Sequence, residues 1–287
     1  MSAQIGAVAN SLRPRAAALV GPPGGGKTIL FERLMAAAGA PVDRPDPANP
    51  QDGVVVGRCR FKNEPWSLVD CPGAVDVTPD IVAVLGAVDI AVVVCEPAPE
   101  RAGLVAPILA ELDARGVPHL VFINKIDTLS GRVRDTLAAL QAFSPRPLVL
   151  RQVPIREEEG IIGYVDVVSS QAYRYRPGEA SVLFSLPTRM AACESGARDI
   201  LLDVLAERDA ALHQKILSDV RLSPDEIFKQ LKQDQQSGAI VGMLLGAGLR
   251  EHGVRRLWKA LRHDAPDPLM TAERRGMPAR DEASLPA

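Results

Sequence analysis

The sequence predicts an α/β fold whose central sheet is mostly parallel and is covered by helices on both faces. Short apolar segments alternate with longer amphipathic segments through the first half of the chain. Continuous apolar strands are typical of sheets buried on both faces, and their alternation with helices is typical of parallel crossover connections. A glycine-rich turn between the first predicted strand and the first predicted helix is a further indication of such a fold.

The elements of the first half follow from periodicity and from turn residues. We predict strands over residues 16–20, 54–61, 66–69, 90–95 and 120–123, and helices over residues 29–38, 81–87, 104–115 and 129–143. Residues 41–53 carry four prolines and no apolar periodicity. We therefore expect an irregular loop there.

The pattern changes near residue 153. Residues 161–168 and 181–186 could form a small separate sheet, and residues 199–236 are almost wholly helical in pattern. Within that stretch Ser223 and Pro224 form a convincing helix start, with a serine cap and proline at the first helical position.

A buried strand over residues 239–245 and a helix over residues 254–262 then return to the main fold. The tail is rich in proline, aspartate, arginine and alanine. We therefore predict three regions: a main domain over residues 1–152 and 237–264, an inserted α+β subdomain over residues 153–236, and a linker or disordered tail over residues 265–287.

Composition excludes several classes of protein. The 33 Lys and Arg nearly balance the 35 Asp and Glu, whereas a general nucleic-acid binder usually shows a basic excess. The longest apolar run, residues 81–95, includes Asp89 and falls short of the roughly 20 residues that a spanning helix needs. Four cysteines without a CxxC pair suggest free thiols in a reducing compartment. We therefore expect a globular cytoplasmic protein with no membrane partner and no sequence-specific contact to nucleic acid.

Residues 21–28, GPPGGGKT, fit the phosphate-loop pattern GxxxxGK[ST]. Glycines let successive backbone N–H groups point at phosphate oxygens, and the following helix adds its positive N-terminal end. Lys27 would reach the β and γ phosphates, and the Thr28 hydroxyl would bind Mg²⁺. A glycine-rich turn that binds nothing is the alternative, which the position between strand and helix disfavours. The predicted contacts are Gly21, Pro22, Pro23, Gly24, Gly25, Gly26, Lys27 and Thr28.

Residues 124–127, NKID, follow the predicted strand over residues 120–123. The Asp127 carboxylate can accept hydrogen bonds from N1–H and the 2-amino group of guanine, a pair that adenine lacks. Discrimination against ATP can therefore be large. A polar loop at a strand end is the alternative. We assign Asn124, Lys125 and Asp127 to guanine binding.

Two further loops complete the predicted site. In residues 70–73, DCPG, Asp70 can hold Mg²⁺ through a water and Gly73 can turn its N–H toward a γ-phosphate. Thr28 and Asp70 are thus the predicted metal ligands. After the last strand, a backbone N–H within Gly246-Ala247-Gly248 could meet the guanine O6, although a flexible turn is an equal interpretation.

These four motifs in this order resemble the nucleotide-binding domain of elongation factor G and of the related tetracycline-protection and release-factor GTPases. DCPG is similar to that family's DTPG, and NKID to its NKxD. Residues 151–168 resemble the start of the subdomain that elongation factor G inserts before its last strand, and residues 237–261 resemble the segment around its last nucleotide motif.

The resemblance covers residues 16–264 and implies a P-loop NTPase G domain that binds GTP or GDP with Mg²⁺. The family's later domains make most of its contacts to the ribosome. They have no counterpart in these residues, so we expect any ribosome contact to depend on them.

Three departures from the family bear on catalysis. The family's DTPG is followed by a histidine that positions the attacking water, but here that place is Ala74. The family's first switch supplies a threonine to Mg²⁺, yet residues 29–69 contain no threonine and only one hydroxyl, that of Ser67. The last motif reads GAG where the family has a Ser-Ala pair. Losing a water-positioning group typically costs roughly a hundredfold to ten-thousandfold, so we expect binding with slow hydrolysis.

Several functions are compatible with the sequence. The first is a guanine-nucleotide-binding domain with weak or absent intrinsic GTPase activity. The second is a nucleotide-dependent binding module or switch that never hydrolyses GTP. The third is a translational GTPase whose catalysis is rescued by the ribosome or another group, and Ala74 favours the second over the third. A P-loop ATPase or kinase is the least favoured function, because the Asp127 carboxylate of NKID can pair with guanine and not with adenine.

Overall fold

The computed structural model describes residues 14–40, 53–158, 160–186, 190–218 and 220–276. The strands are β1 (Arg15–Val20), β2 (Val55–Phe61), β3 (Glu64–Asp70), β4 (Ile90–Cys95), β5 (His119–Ile123), β6 (Leu148–Leu150), β7 (Gln152–Glu157), β8 (Gly160–Asp166), β9 (Gln171–Arg174), β10 (Val182–Phe184) and β11 (Val241–Leu245). The α-helices are α1 (Lys27–Ala37), α2 (Pro79–Ala87), α3 (Ala106–Ala114), α4 (Val133–Gln141), α5 (Ala191–Ala206), α6 (Ala210–Leu217), α7 (Pro224–Gln236), α8 (Val254–Asp264) and α9 (Pro268–Arg274). Short 3₁₀ segments occupy Pro99–Val105, Ile126–Thr128 and Gly248–Arg250.

The main sheet has seven strands in the order β2-β3-β1-β4-β5-β11-β6. All of its neighbouring pairs are parallel except the hairpin of β2 and β3. Every residue of β4, β5 and β11 is buried, as expected for parallel strands covered on both faces. The predicted α/β class is confirmed, and the carboxyl ends of the parallel strands meet at one edge of the sheet.

Alternate side chains of the strands face opposite helical layers. In β1, Ala17 and Leu19 belong to the core that contains Phe31 of α1 and Trp258 of α8. The next residues along, such as Ala18, belong to the core under α2, α3 and α4. This two-residue period of a pleated strand therefore places the helices on both faces of the sheet.

The second sheet is antiparallel, with the order β10-β9-β8-β7. It shares an apolar core with α5, α6 and α7. Of its strands, the sequence analysis predicted the regions of β8 and β10 but not β7 or β9. Pro154 in β7 weakens a strand prediction, and β9 has only four residues, too few to show a clear alternation.

The long helical pattern over residues 199–236 divides into separate helices. Asp209 caps α6 by accepting hydrogen bonds from the backbone N–H groups of Ala211 and Leu212. Ser223 caps α7, where Ser223 and Glu226 form a complete capping box. The predicted start at Ser223 is therefore confirmed.

The segment after α8 differs from the expected linker over residues 265–287. Residues Pro268–Arg274 form α9, in which Thr271 is buried. Asp267 caps this helix by accepting from the Leu269 N–H at 2.9 Å, and Arg274 Nη2 donates to the Val88 carbonyl at 2.6 Å. An aspartate cap followed by proline is a local helix signal that overall composition concealed. Residues 277–287 lie outside the described part of the chain.

No helix among the described residues combines the length and apolar character needed to cross a membrane.

Candidate nucleotide-binding site

Four loops meet at the carboxyl edge of the main sheet. They follow or end β1, β3, β5 and β11, and the strand order places these strands side by side, with β4 between β1 and β5. Ligands of open α/β sheets bind in this position. The structure thus brings the four predicted motifs together, although they span residues 21–248 in the sequence.

The phosphate loop has a backbone that side chains would obstruct. Gly26 has a φ of 84°, and a Cβ there would lie 2.5 Å from Asn124 Nδ2. Gly21 has a φ of 138°, and its Cβ would lie 2.4 Å from the Val94 carbonyl oxygen. Both positions therefore require glycine, and the concave loop forms a cradle of the kind that holds phosphates.

Lys27 begins α1 with its side chain folded into the loop. Its Nζ donates to the carbonyl oxygens of Gly21 at 3.0 Å and Pro22 at 2.8 Å, and the residue is only 5% exposed. Burial lowers the pKa of Lys27, and the neighbouring Asp70 carboxylate offsets part of that effect. A phosphate oxygen would compensate the buried ammonium better than neutral carbonyls do.

Asp70 approaches Lys27 of the phosphate loop from β3, and Thr28 is the last residue of that loop. Asp70 ends β3 in register with Leu19 of β1 and is buried, whereas Thr28 lies exposed in the first turn of α1. The DCPG loop packs closely on the phosphate loop, because a Cβ on Gly73 would lie 2.8 Å from Pro23 Cα and 3.0 Å from Lys27 Nζ.

The positions that bear on catalysis offer few polar groups. Ala74 is partly buried and packs against the apolar core. Ser67 lies within β3, in register with Ala16 of β1 and Arg58 of β2, and so belongs to the sheet. Of the predicted irregular loop over residues 41–53, only Gly53 lies inside the described residues.

Asn124 joins the phosphate loop to the loop after β11. Its Nδ2 donates to the Gly25 carbonyl at 2.8 Å, and its Oδ1 accepts from the Gly248 N–H at 2.8 Å. The residue is 2% exposed. The side-chain amide is therefore satisfied at both ends and ties two loops of the site together.

Lys125 has a left-handed backbone, with a φ of 56°, and extends over the phosphate loop. Its Nζ donates to the Gly24 carbonyl at 2.7 Å and forms an ion pair with Glu96. Glu96, which follows β4, was missed by the sequence analysis, because the contact joins residues 29 positions apart. It holds Lys125 along one wall of the site.

Asp127 also has a partner that the sequence analysis missed. Arg250 Nε donates to Asp127 Oδ2 at 2.8 Å, and the side chains are 63% and 27% exposed respectively. The loop backbone below Asp127 is fixed by the Ile126 N–H, which donates to the Gly246 carbonyl at 3.0 Å. The only sequence signal for Arg250 was a basic residue two positions after GAG.

The GAG loop is a closed turn. The Gly246 N–H donates to the Ile123 carbonyl at 3.0 Å, and the Ala247 N–H donates to the His252 carbonyl at 3.0 Å. The Gly248 N–H donates to Asn124 Oδ1 at 2.8 Å. These donors are engaged, so the expected contact from GAG to the guanine O6 would require one of them to change partner. The Tyr175 ring stacks on His252 with centroids 4.7 Å apart, which supports the turn from the second sheet.

Comparisons with known proteins agree with this arrangement. The sequence model of the elongation factor Tu GTP-binding domain matches residues 54–267. An elongation factor G-like protein of Synechocystis sp. is 35% identical over 281 residues, which is 92% of this chain and 42% of that protein. Elongation factor G 2 of Syntrophus aciditrophicus is 25% identical over 219 residues, which is 74% of this chain and 32% of that protein.

A crystal structure of a protein from Thermus thermophilus superposes with a TM-score of 0.76 at 25% identity, and the match covers 91% of this chain and 41% of that one. The chain thus spans about two fifths or less of the length of these relatives. On the matched family and the shared fold, the chain belongs to the elongation factor GTP-binding domains, as an elongation factor G-like G domain.

Proposed function

We propose that this domain binds GTP and GDP with Mg²⁺ and hydrolyses GTP slowly. The observation that carries the proposal is the pair of hydrogen bonds made by Asn124, to Gly25 of the phosphate loop and to Gly248 of the last loop. These bonds fix the phosphate loop relative to the segment that carries Asp127, which would read the base. A preorganised arrangement of this kind reduces the free energy spent on ordering when a ligand binds.

The phosphate subsite consists of the loop cradle, the buried Lys27 ammonium and the amino end of α1. Nucleotide phosphates would draw Lys27 Nζ from the Gly21 and Pro22 carbonyls, replacing neutral acceptors with charged ones. Gly73, packed on the same loop, would supply an N–H near the γ-phosphate.

The Mg²⁺ site would use Thr28 and Asp70, which flank the cradle. The described residues contain no group of three or more His, Cys, Asp or Glu side chains that could hold a metal by themselves. This donor set fits Mg²⁺, which is commonly held by one or two protein oxygens together with nucleotide phosphates and waters. Bound there, Mg²⁺ would neutralise charge on the phosphate oxygens.

The base subsite would be formed by Asp127, Lys125 and the last loop. Asp127 would accept N1–H and the 2-amino group of guanine, and the aliphatic part of Lys125 would lie along one face of the base. Because the N–H groups of Gly246, Ala247 and Gly248 already donate within the protein, one of them would have to change partner to meet the guanine O6.

Slow hydrolysis follows from Ala74. Its methyl group cannot orient or polarise water, whereas Lys27, the backbone N–H groups and the metal would still stabilise charge on the phosphates. The same observation favours a second candidate function, a nucleotide-dependent switch that does not hydrolyse GTP.

As part of the proposal we place the protein in the cytoplasm, and we assign any contact with the ribosome to further domains like those of its longer relatives.

Calorimetric titration with GTP, GDP and ATP, with and without Mg²⁺, tests the binding proposal. We expect both guanine nucleotides to bind and ATP to bind far more weakly, whereas equal affinity for GTP and ATP would contradict it. A phosphate-release assay on the GTP complex then separates the two candidate functions. Slow but measurable release supports a weak GTPase, and release equal to that of GTP in buffer alone supports the switch.

A further inference from the structure

The ion pair between Arg250 and Asp127 occupies the carboxylate that would read the base. Arg250 Nε lies 2.8 Å from Oδ2, so one of the two oxygens that guanine would use already accepts a hydrogen bond. Resting on the function proposed above, we propose that Arg250 is an affinity-determining residue of the guanine site. Its guanidinium holds Asp127 Oδ2 and competes with guanine for that carboxylate.

The local backbone makes Arg250 a movable side chain on a fixed turn. The Arg250 N–H donates to the Ala247 carbonyl at 3.0 Å, and the next residue, Glu251, has a left-handed backbone and donates its N–H to Gly248 at 3.0 Å. Glu251 is further held by Arg33 at 2.7 Å. The turn is therefore anchored on both sides of Arg250, while the Arg250 side chain is 63% exposed. The guanidinium can leave without disturbing the loop.

The other cation beside the base subsite is held away from Asp127. Lys125 Nζ contacts Gly24 and Glu96, on the phosphate-loop side. His252, whose pKa is lowered by burial and by Arg250, lies within electrostatic range of Asp127 and stacks on Tyr175. Among the described residues, Arg250 is therefore the positively charged side chain that donates a hydrogen bond to the Asp127 carboxylate.

Competition between Arg250 and guanine has a predictable size and salt dependence. Exposed ion pairs contribute little, so removing the competitor should tighten GDP binding by only about twofold to fivefold. Salt screens such a pair. The advantage of a variant without the arginine should therefore shrink toward parity at high ionic strength.

The test compares the wild-type domain with Arg250→Ala and with Arg255→Ala. Arg255 is an exposed arginine on α8 whose Nε donates to Gly178, so its removal changes net charge equally. GDP affinity is measured by calorimetry, and the association rate is measured by stopped-flow fluorescence with a fluorescently labelled GDP. Both measurements are made at low and at high salt. We expect Arg250→Ala to bind GDP about twofold to fivefold more tightly and to associate faster at low salt, while Arg255→Ala matches the wild type. Unchanged GDP affinity in Arg250→Ala would overturn the proposal. Weaker GDP affinity would also overturn it, because it would show that Arg250 orients Asp127 for binding.

A second background provides an independent check. In Asp127→Asn the carboxylate is absent, so adding Arg250→Ala should bring no gain in affinity for xanthosine diphosphate, and a gain there would contradict competition for Asp127. Failure of the underlying function is distinguishable, since wild type, Arg250→Ala and Arg255→Ala would then all fail to bind GDP.

Discussion

Asn124 Nδ2 donates a hydrogen bond of 2.8 Å to the Gly25 carbonyl, although the two residues are 99 positions apart in the sequence. The same side chain accepts from the Gly248 N–H. One buried amide thus joins three segments that enter the site from three different strands. The site depends on this connection as much as on the groups that would touch a nucleotide.

Replacing Asn124 with alanine should weaken both the fold and nucleotide binding. The change leaves the Gly25 carbonyl and the Gly248 N–H without their partner, at about 1–3 kcal/mol for each buried group. We expect the free energy of unfolding to fall by about 2–5 kcal/mol in urea denaturation and GDP affinity to fall with it. Gln233→Ala, which removes an exposed amide on α7, should change neither quantity. Full GDP affinity in Asn124→Ala would show that the loops are held by other contacts.

Changing Asp127 to Asn should shift nucleotide preference from guanine to xanthine. Xanthine presents a carbonyl where guanine has its amino group, so an asparagine N–H can donate where the carboxylate could only accept. We expect GDP affinity to fall by at least about a hundredfold and xanthosine diphosphate to become the better ligand in calorimetry. Asp199→Asn, an exposed acid on α5, is the matched control. If the two bases kept their original order in Asp127→Asn, Asp127 would not be the base-reading group.

Lys27→Ala should weaken GDP and GTP binding by about tenfold to a hundredfold, because hydrogen bonds to a charged group contribute roughly 1.5–3 kcal/mol. Equilibrium dialysis with radiolabelled nucleotide measures this directly. Lys229→Ala, an exposed lysine on α7, serves as the control. Unchanged affinity in Lys27→Ala would mean that the glycine loop is a structural turn.

His119 should make the fold sensitive to mild acid. It is fully buried in β5, and burial lowers its pKa from 6.5 to about 4, although a hydrogen bond to Val117 favours the charged form. A folded-state pKa below the unfolded value stabilises the protein at pH above 6.5, and this contribution is lost as the pH falls toward 4. The full effect is about 3 kcal/mol at roughly 1.4 kcal/mol per pKa unit.

Urea unfolding at a series of pH values between 7.5 and 4.5 tests this expectation. His119→Asn should lose stability less steeply with falling pH than the wild type, because it has no imidazole to protonate. His213→Asn, at an exposed position on α6, should follow the wild-type slope. A slope for His119→Asn identical to that of the wild type would show that other groups account for the acid sensitivity.

Some of this architecture could be predicted from sequence because the signals are local. The glycine spacing before Lys27, and the apolar strand before Asn124, each lie within about ten residues. The long-range contacts around the site could not be predicted in the same way. Glu96 beside Lys125, Arg250 on Asp127 and His252 under Tyr175 come from distant segments, and only the packed sheet brings them together.

The last loop illustrates the same limit at the level of the backbone. From the sequence, any N–H of Gly246, Ala247 or Gly248 could have faced the base. In the structure all of them have acceptors within the protein, because Ala247 pairs with His252 and Gly248 with Asn124. Similarly, β7 and β9 are stabilised by their neighbours in the second sheet and not by a strong local pattern.

Hydrolysis is the property in which this domain should differ most from an efficient GTPase. We expect the isolated domain to hydrolyse GTP at or below about 10⁻⁴ per second, the order of the intrinsic rate of small G proteins. Ala74 has no group to align water, and residues 29–69 contain no threonine to close over Mg²⁺ and the γ-phosphate. Charge stabilisation by Lys27 and the backbone N–H groups would remain, so a slow rate is expected instead of none.

Adding a histidine at the water-positioning place should therefore restore little. In Ala74→His the imidazole can approach an attacking water, but the first switch still lacks its threonine. We therefore expect the hydrolysis rate to rise by less than about tenfold, although a water-positioning group can supply about a hundredfold or more. Val75→His, one position further along at an exposed site, controls for the added imidazole. Single-turnover measurements with GTP prebound compare the three proteins. Rapid turnover by the wild type, or recovery of the full factor in Ala74→His, would show that the water is positioned by other residues.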